Sequence, residues 1–330
     1  MTGNKADQKW FAIVNPVAGS GKGLTDWPVI SRLLRERDIV PAAVFTERKY
    51  HAIELAVEAV KKGYRNIIVV GGDGTIHEVV NGLFIQKDVP TQEILIAVIA
   101  VGTGNDWIRM FGIPRKYSEA IRAIVDGHSF LQDVGVISYY KSQVRQTRYM
   151  ANVAGIGFDA FVNRKYNKLK EEGKTSKWLY LWSALKAVFR YSSTGVKIWI
   201  DDEMVVNDLV YSATVGIGKY NGGGMIQVPE AVADDGLFDV TIIRKLGKFG
   251  VVRRFRSLYN GRIYNIKKVS FARGRRIRIE STPEIRVEVD GEALGFSPFE
   301  FEIIDKAVRV VVSDKFLERD VIRSMQQNHV

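Results

Sequence analysis

The chain has 330 residues, 46% hydrophobic and 26% charged, a balance that excludes a disordered polymer and, at this length, favours two cores over one. It has no cysteine, which excludes disulfides, thiolate metal sites and a cysteine nucleophile, and its four histidines leave little room for a histidine-built zinc site. A formal net charge of +11 suits a polyanionic partner: nucleic acid, an anionic membrane surface or a nucleotide.

The opening segment MTGNKADQKW lacks the apolar run of a secretory leader, and no later segment offers the apolar length of a bilayer-spanning helix. The chain is therefore expected in the cytoplasm. Residues 10–15 read as a first strand, ending in the turn Asn15-Pro16-Val17-Ala18-Gly19-Ser20-Gly21. Residues 27–37 repeat Val29, Ile30, Leu33 and Leu34 at helical spacing, residues 42–46 read as a second strand, and a helix over 51–62 stops at Gly63. The apolar run 67–70 leads directly into Gly71-Gly72-Asp73-Gly74-Thr75, and residues 94–101 repeat the device before Gly102-Thr103-Gly104-Asn105-Asp106. Strands alternating with helices predict a parallel sheet, whose carboxyl edge is where such folds bind ligands. Both glycine turns are thus expected on one crevice.

After about residue 133 the pattern becomes strand-like, over 148–153, 196–200, 208–216, 238–243, 275–280 and 284–289, which predicts an antiparallel sandwich. An amphipathic stretch over 178–190 is read as a helix packed on that sandwich. From Arg244 to Arg278 basic residues recur without a single acid. A solvated face is the ordinary fate of such a run, but the one-sided sign favours an anionic surface.

Successive glycine amides at a helix N-terminus let phosphate approach closely, as Gly71 to Thr75 would allow. A carboxylate among those amides repels phosphate unless a cation bridges them, so Asp73 implies Mg²⁺ together with a nucleotide. Gly19-Ser20-Gly21-Lys22-Gly23 is too short for a Walker A loop, the dinucleotide fingerprint is missing at both turns, and protein-kinase landmarks are absent. Asp290-Gly291-Glu292 reads as a tight hairpin turn that can also present a base.

Asn15-Pro16-x-Ala18-Gly19, Gly71-Gly72-Asp73-Gly74-Thr75 with Glu78-Val79, and Gly102-Thr103-Gly104-Asn105-Asp106 resemble, in order and spacing, the diacylglycerol kinase catalytic domain family, particularly its compact bacterial lipid kinases. The likeness continues through Asp133-Val134-Gly135, Asn152 with Gly155-Ile156-Gly157, Asp234-Asp235-Gly236-Leu237 and Asp290-Gly291-Glu292. The resemblance implies an α/β first domain similar to NAD kinases and phosphofructokinases, over 1–134 with 307–330 returning to it, and a β-sandwich over 135–306. It implies that Asn15, Thr46, Gly72, Asp73, Gly74, Thr75, Glu78 and Thr103 bind ATP, with Asp73 beside the phosphates and the catalytic Mg²⁺. It further implies a structural Mg²⁺ held by the Asp235 carboxylate and the carbonyls of Val232 and Leu237, Glu292 as general base, and Asp133 in the polar network near the metal. His77 is read as a helix-face residue with local hydrogen bonds and no catalytic role.

The expected activity is Mg²⁺-dependent transfer of the γ-phosphoryl group of ATP to a lipid hydroxyl, of diacylglycerol or a related glycerolipid or sphingoid lipid. The expected partners are that lipid and the anionic inner face of the membrane, bound reversibly; a homodimer is compatible with the resemblance, and no nucleic acid is expected. A soluble-substrate kinase of the NAD kinase type and a basic nucleic-acid-binding protein are the alternatives.

Overall fold

The computed structural model describes residues 9–163 and 187–318. The chain forms two compact units, Met1–Gln132 with Lys306–Val330, and Asp133–Asp305.

In the first unit, β1 (Trp10–Val14), β2 (Ala42–Phe45), β3 (Asn66–Gly71) and β4 (Leu95–Ala100) lie parallel in the order β2-β1-β3-β4. The last stretch of β16 (Glu292–Val311) joins beyond β4, pairing Arg309 with Leu95 and Val310 with Ile96. Ile67, Ile68, Val69 and Val70 have no exposed surface, so both faces of this strand are covered. A parallel sheet needs helices on both faces for that reason. The helices are α1 (Ala18–Thr25), α2 (Trp27–Arg35), α3 (His51–Lys61), α4 (Asp73–Ile85), α5 (Asp106–Met110) and α6 (Tyr117–Asp126). On one face Ile30 and Leu34 of α2 and Ile121 and Ile124 of α6 pack with Val14, Val70 and Ile99. As expected, α3 stops before Gly63, whose φ of 87° is the left-handed conformation that ends a helix cheaply in glycine.

In the second unit the strands pair antiparallel. They are β5 (Ser129–Lys141), β6 (Val144–Met150), β7 (Val153–Gly157), β8 (Thr194–Ile200), β9 (Glu203–Gly216), β12 (Phe238–Arg244), β13 (Val269–Gly274), β14 (Arg276–Thr282), β15 (Arg286–Val289) and β16, with a small hairpin of β10 (Tyr220–Asn221) and β11 (Met225–Ile226). Two long strands turn the corners. Residues 203–210 of β9 pair with β8 and residues 212–216 with β7, while β16 pairs first with β15 and then, over 299–302, with β14. Strands that change partners in this way close a sandwich at its corners.

The strand expected over 148–153 is two strands: β6 ends at Met150 and β7 begins at Val153. The interruption has a physical cause, because the Asp290 carboxylate takes the amides of Ala151 (2.8 Å), Asn152 (2.9 Å) and Val153 (3.0 Å), two of them in the gap between the strands. Of the helix expected over 178–190, only 187–190 lie within the described residues, and these are helical.

Val308, Val310 and Val312 are fully buried where β16, the last strand among the described residues, joins the first sheet. Val310→Ala removes two buried methyl groups and is expected to cost about 2 kcal/mol of stability, read as a lower urea midpoint with unchanged slope. An unaltered midpoint would mean that the strand adds nothing to the sheet's stability.

Candidate functional site

Three loops meet at the carboxyl edge of the first unit's sheet. The Asn15 side chain bridges two of them, donating from Nδ2 to Thr75 Oγ1 (2.9 Å) while its Oδ1 accepts the Val17 amide (3.2 Å). Residues 19–21 all have left-handed backbone angles, and a Cβ on Gly19 would sit 1.9 Å from the Val101 carbonyl oxygen. The third contact is backbone to backbone: the Gly71 carbonyl accepts the amides of Val101 (3.0 Å) and Gly102 (3.3 Å), and a Cβ on Gly102 would lie 2.7 Å from Gly72 Cα. The two glycine turns therefore share one crevice, as their positions in the sequence imply. Thr46 follows β2 at the same edge of the sheet, its amide donating to the Val14 carbonyl at 2.8 Å.

Asp73 is the first residue of α4, after Gly72 in extended conformation, and Thr75 is buried in the first turn. Asp73 Oδ1 accepts the Trp107 amide at 3.0 Å, tying the start of α4 to the start of α5. A Cβ on Gly104 would stand 3.1 Å from Asp73 Oδ2 and 3.6 Å from Asp106 Oδ2, so the glycine leaves room between two carboxylates. Two carboxylates this close are donors of the kind Mg²⁺ takes, although Asp106 is also paired with Arg109 at 3.4 Å. Arg115 donates to the Gly104 carbonyl at 2.8 Å. Burial and the neighbouring Arg109 lower its guanidinium pKa, while Asp106 and Asp73 oppose them. Thr103, between the two glycines of this loop, is exposed.

Glu78 is part of the scaffold around this crevice. Its carboxylate accepts the amides of Tyr50 (3.0 Å) and Ala52 (3.1 Å), so that α4 caps the N-terminus of α3. His77 is buried beside Asn81, whose Nδ2 lies 3.4 Å from its ring nitrogen and donates to its carbonyl at 2.8 Å.

The remaining expected residues lie in the second unit. Asp133 is fully buried and holds the 233–236 turn, accepting the Gly236 amide (2.8 Å) and donating its own amide to Ala233 (2.7 Å). Both oxygens of Asp235 are engaged, one by Arg273 and one by the Leu237 amide at 3.1 Å. Arg273 also meets the buried Asp239 at 3.1 Å. Burial raises the Asp239 pKa to about 6 against the pull of that guanidinium. Arg273 is therefore the cation that the Asp235 carboxylate meets in this structure.

Glu292 is the first residue of β16 and pairs with Val289 across a two-residue turn. Asp290 and Gly291 in that turn have φ of 50° and 91°, the left-handed pair that an Asp-Gly hairpin requires. Asp290, through its three amide bonds, and Glu288, which accepts the Gly291 amide at 2.7 Å, fix the turn from both sides. Glu288 is buried next to Asp159, which accepts from Ser212 (2.7 Å), Thr214 (3.2 Å) and Gln227 (3.3 Å). Burial raises both carboxyl pKa values, that of Glu288 to about 8, with Asp159 and Asp290 adding repulsion and the Gly291 amide and Asn163 opposing it. Sequence reasoning missed this cluster. Its one signal is a glutamate inside the apolar run Val287-Glu288-Val289.

The chain thus joins a parallel sheet, whose glycine turns surround a carboxylate at a helix N-terminus, to an antiparallel sandwich. Two family models match: the diacylglycerol kinase catalytic domain over residues 9–137, and the YegS C-terminal NAD kinase beta sandwich-like domain over 152–312. Residues 9–137 belong to the diacylglycerol kinase catalytic domain family. It is 28% identical to a diacylglycerol kinase of Mycobacterium tuberculosis over 305 residues, 92% of this chain and 94% of that one. A Staphylococcus epidermidis diacylglycerol kinase is 28% identical over 318 residues, 94% of this chain and 95% of the relative. Among solved structures, a diacylglycerol kinase from Bacillus anthracis superposes with TM-score 0.70 at 23% identity, covering 94% of this chain and 98% of the other. Yeast NADH kinase superposes with TM-score 0.51 at 13% identity, covering 97% and 86%. These two likenesses concern the fold.

Because the folded pKa of Glu288 is raised, the folded chain keeps a proton between about 4.5 and about 8 that the unfolded chain releases. Stability should fall as pH rises through that window. Glu288→Gln keeps an acceptor for Gly291 without the ionisation, so its urea midpoint should decline less with pH than the parent's. Parallel pH profiles would remove Glu288 as the source of the dependence.

Proposed function

We propose that the protein transfers the γ-phosphoryl group of ATP, with Mg²⁺, to the hydroxyl of a membrane glycerolipid of the diacylglycerol type. The observation that carries this reading is Asp73, set at the N-terminus of α4 and facing the space left by Gly104 beside Asp106. The acceptor follows from the names of the relatives, and the nucleotide from the family.

In this reading the backbone at Gly72 to Thr75 and the glycine turn around Thr103 hold the phosphates, and Asn15 keeps these loops in register through Thr75. Asp73 and Asp106 would hold the metal ion, which when bound neutralises phosphate charge and orients the γ-phosphoryl group. Arg115 braces the Gly104 carbonyl and brings a fixed positive charge to the same loop. Glu292 accepts the proton of the attacking hydroxyl. Its place beside a two-residue turn clamped by Asp290 and Glu288 holds it steady for that role. The anionic face of a membrane is the proposed setting, in keeping with the basic run from Arg244 to Arg278.

The test is transfer of labelled phosphate from Mg·ATP to a panel of lipids in mixed micelles, with NAD as the soluble acceptor. Label should enter a glycerolipid and vanish with Asp73→Ala. Label in NAD alone would overturn the acceptor. Glu292→Gln should lower turnover by about a hundredfold or more with little change in the ATP requirement, as expected for loss of a general base. An undiminished turnover would remove Glu292 from the chemistry.

Arg115→Gln should raise the ATP concentration needed for half-maximal rate by about tenfold, the effect of one charge-assisted contact of about 1.4 kcal/mol. An unchanged ATP requirement would mean that the Gly104 loop does not depend on it.

A further inference from the structure

The most exposed large apolar residue among those described is Phe249, at 84% exposure, on the helix Lys248–Arg254. It has apolar company. Val252 on the same helix is 39% exposed, and Phe189 is 48% exposed and tied to this helix by Lys248, whose ammonium donates to the Phe189 carbonyl at 2.7 Å. Leu209, at 41%, accepts the Lys245 amide through its carbonyl at 2.9 Å. An isolated exposed apolar residue means little, but several on segments that hydrogen bonds of Lys245 and Lys248 hold next to one another mark an interaction surface.

The charges around this patch are one-sided. Lys245, Lys248, Arg253 and Arg256 are exposed, and among the described residues none of them has a carboxylate within ion-pair distance. The nearby acid Asp208 is matched by Arg244 at 3.6 Å. A protein partner with a complementary acidic face would leave Phe249 to find its own pocket. An anionic bilayer meets both needs with one structure, taking aromatic rings at the acyl boundary and cations at the headgroups.

We propose that the helix Lys248–Arg254, with Phe189 and Leu209 beside it, is a membrane-docking edge, in which Phe249 enters an anionic bilayer and Lys245, Lys248, Arg253 and Arg256 lie against its phosphates. This deepens the lipid-kinase reading and rests on it for the identity of the partner. The docking is reversible, since one short helix inserts far less apolar surface than a spanning segment.

The full chain is sedimented with vesicles of phosphatidylcholine alone and with vesicles of phosphatidylcholine and phosphatidylglycerol in equal parts. Binding should require phosphatidylglycerol and weaken as salt shortens the Debye length from about 10 Å to about 3 Å. Phe249→Ser should reduce binding about tenfold or more, and Lys245→Gln, Arg253→Gln and Arg256→Gln about fivefold each, the equivalent of roughly 1 kcal/mol per charge. Thermal midpoints should match the parent's, and so should phosphate transfer to a short-chain diacylglycerol dispersed without vesicles.

Equal binding of the parent to both vesicle types, or unaltered binding by Phe249→Ser and the charge variants, overturns the docking edge. So does a result in which Phe249→Ser dissociates a dimer while vesicle binding is kept, or in which duplex DNA is bound in preference to the mixed vesicles. If vesicle binding behaves as expected but no diacylglycerol is phosphorylated, the docking edge stands and the acceptor assignment fails. The two readings therefore fail separately.

Discussion

The nucleotide-binding reading depends on one close approach, that of Gly72 to Gly102. Two neighbouring parallel strands each end in a turn that must come within van der Waals range of the other, and the Gly71 carbonyl holds them there by taking two amides from the second turn. A methyl group on Gly102 would meet Gly72 Cα at 2.7 Å and Asn105 Oδ1 at 2.5 Å. Backbone at that distance leaves the two turns without Cβ atoms of their own where they meet, and only the Asn105 amide side chain reaches in beside them. Asn15, Asp73 and Arg115 then act as braces on a crevice whose width is set by glycine.

The second unit solves a similar problem with buried carboxylates. Asp290 has a positive φ and three amides on its side chain, so its turn is bonded to the start of β7, and Glu288 reaches forward to bond the same turn. Charged groups are costly in an interior unless they are hydrogen-bonded, and even so desolvation drives Glu288 and its neighbour Asp159 toward their protonated forms. Such a pair gives direction to hydrogen bonds that apolar packing could not. Its benefit falls on the backbone that carries Glu292.

Much of this was legible before the structure. The strand and helix order of the first unit, the stop at Gly63, the convergence of both glycine turns and the Asp-Gly hairpin all follow from local rules of glycine placement and hydrophobic period. What was not legible depended on contacts distant in sequence. The break at Ala151 and Asn152 is set by a carboxylate 138 and 139 residues away, which no local pattern can report. The cap that Glu78 places on a helix that precedes it, through the Tyr50 and Ala52 amides, was hidden in the same way. The engagement of Asp235 by Arg273 was equally hidden, since the two are 38 residues apart on different elements.

The single strand Glu292–Val311 has a consequence for how the protein is made. Its final residues complete the parallel sheet of the first unit, although the other strands of that sheet lie before residue 101. During synthesis the first unit's sheet therefore keeps the edge of β4 open until Arg309 and Val310 have been made. The sandwich is complete almost as late. An unpaired apolar strand edge held open that long is a standing invitation to aggregation or chaperone capture. The β4 edge of the first sheet is thus covered by a strand that also serves the sandwich.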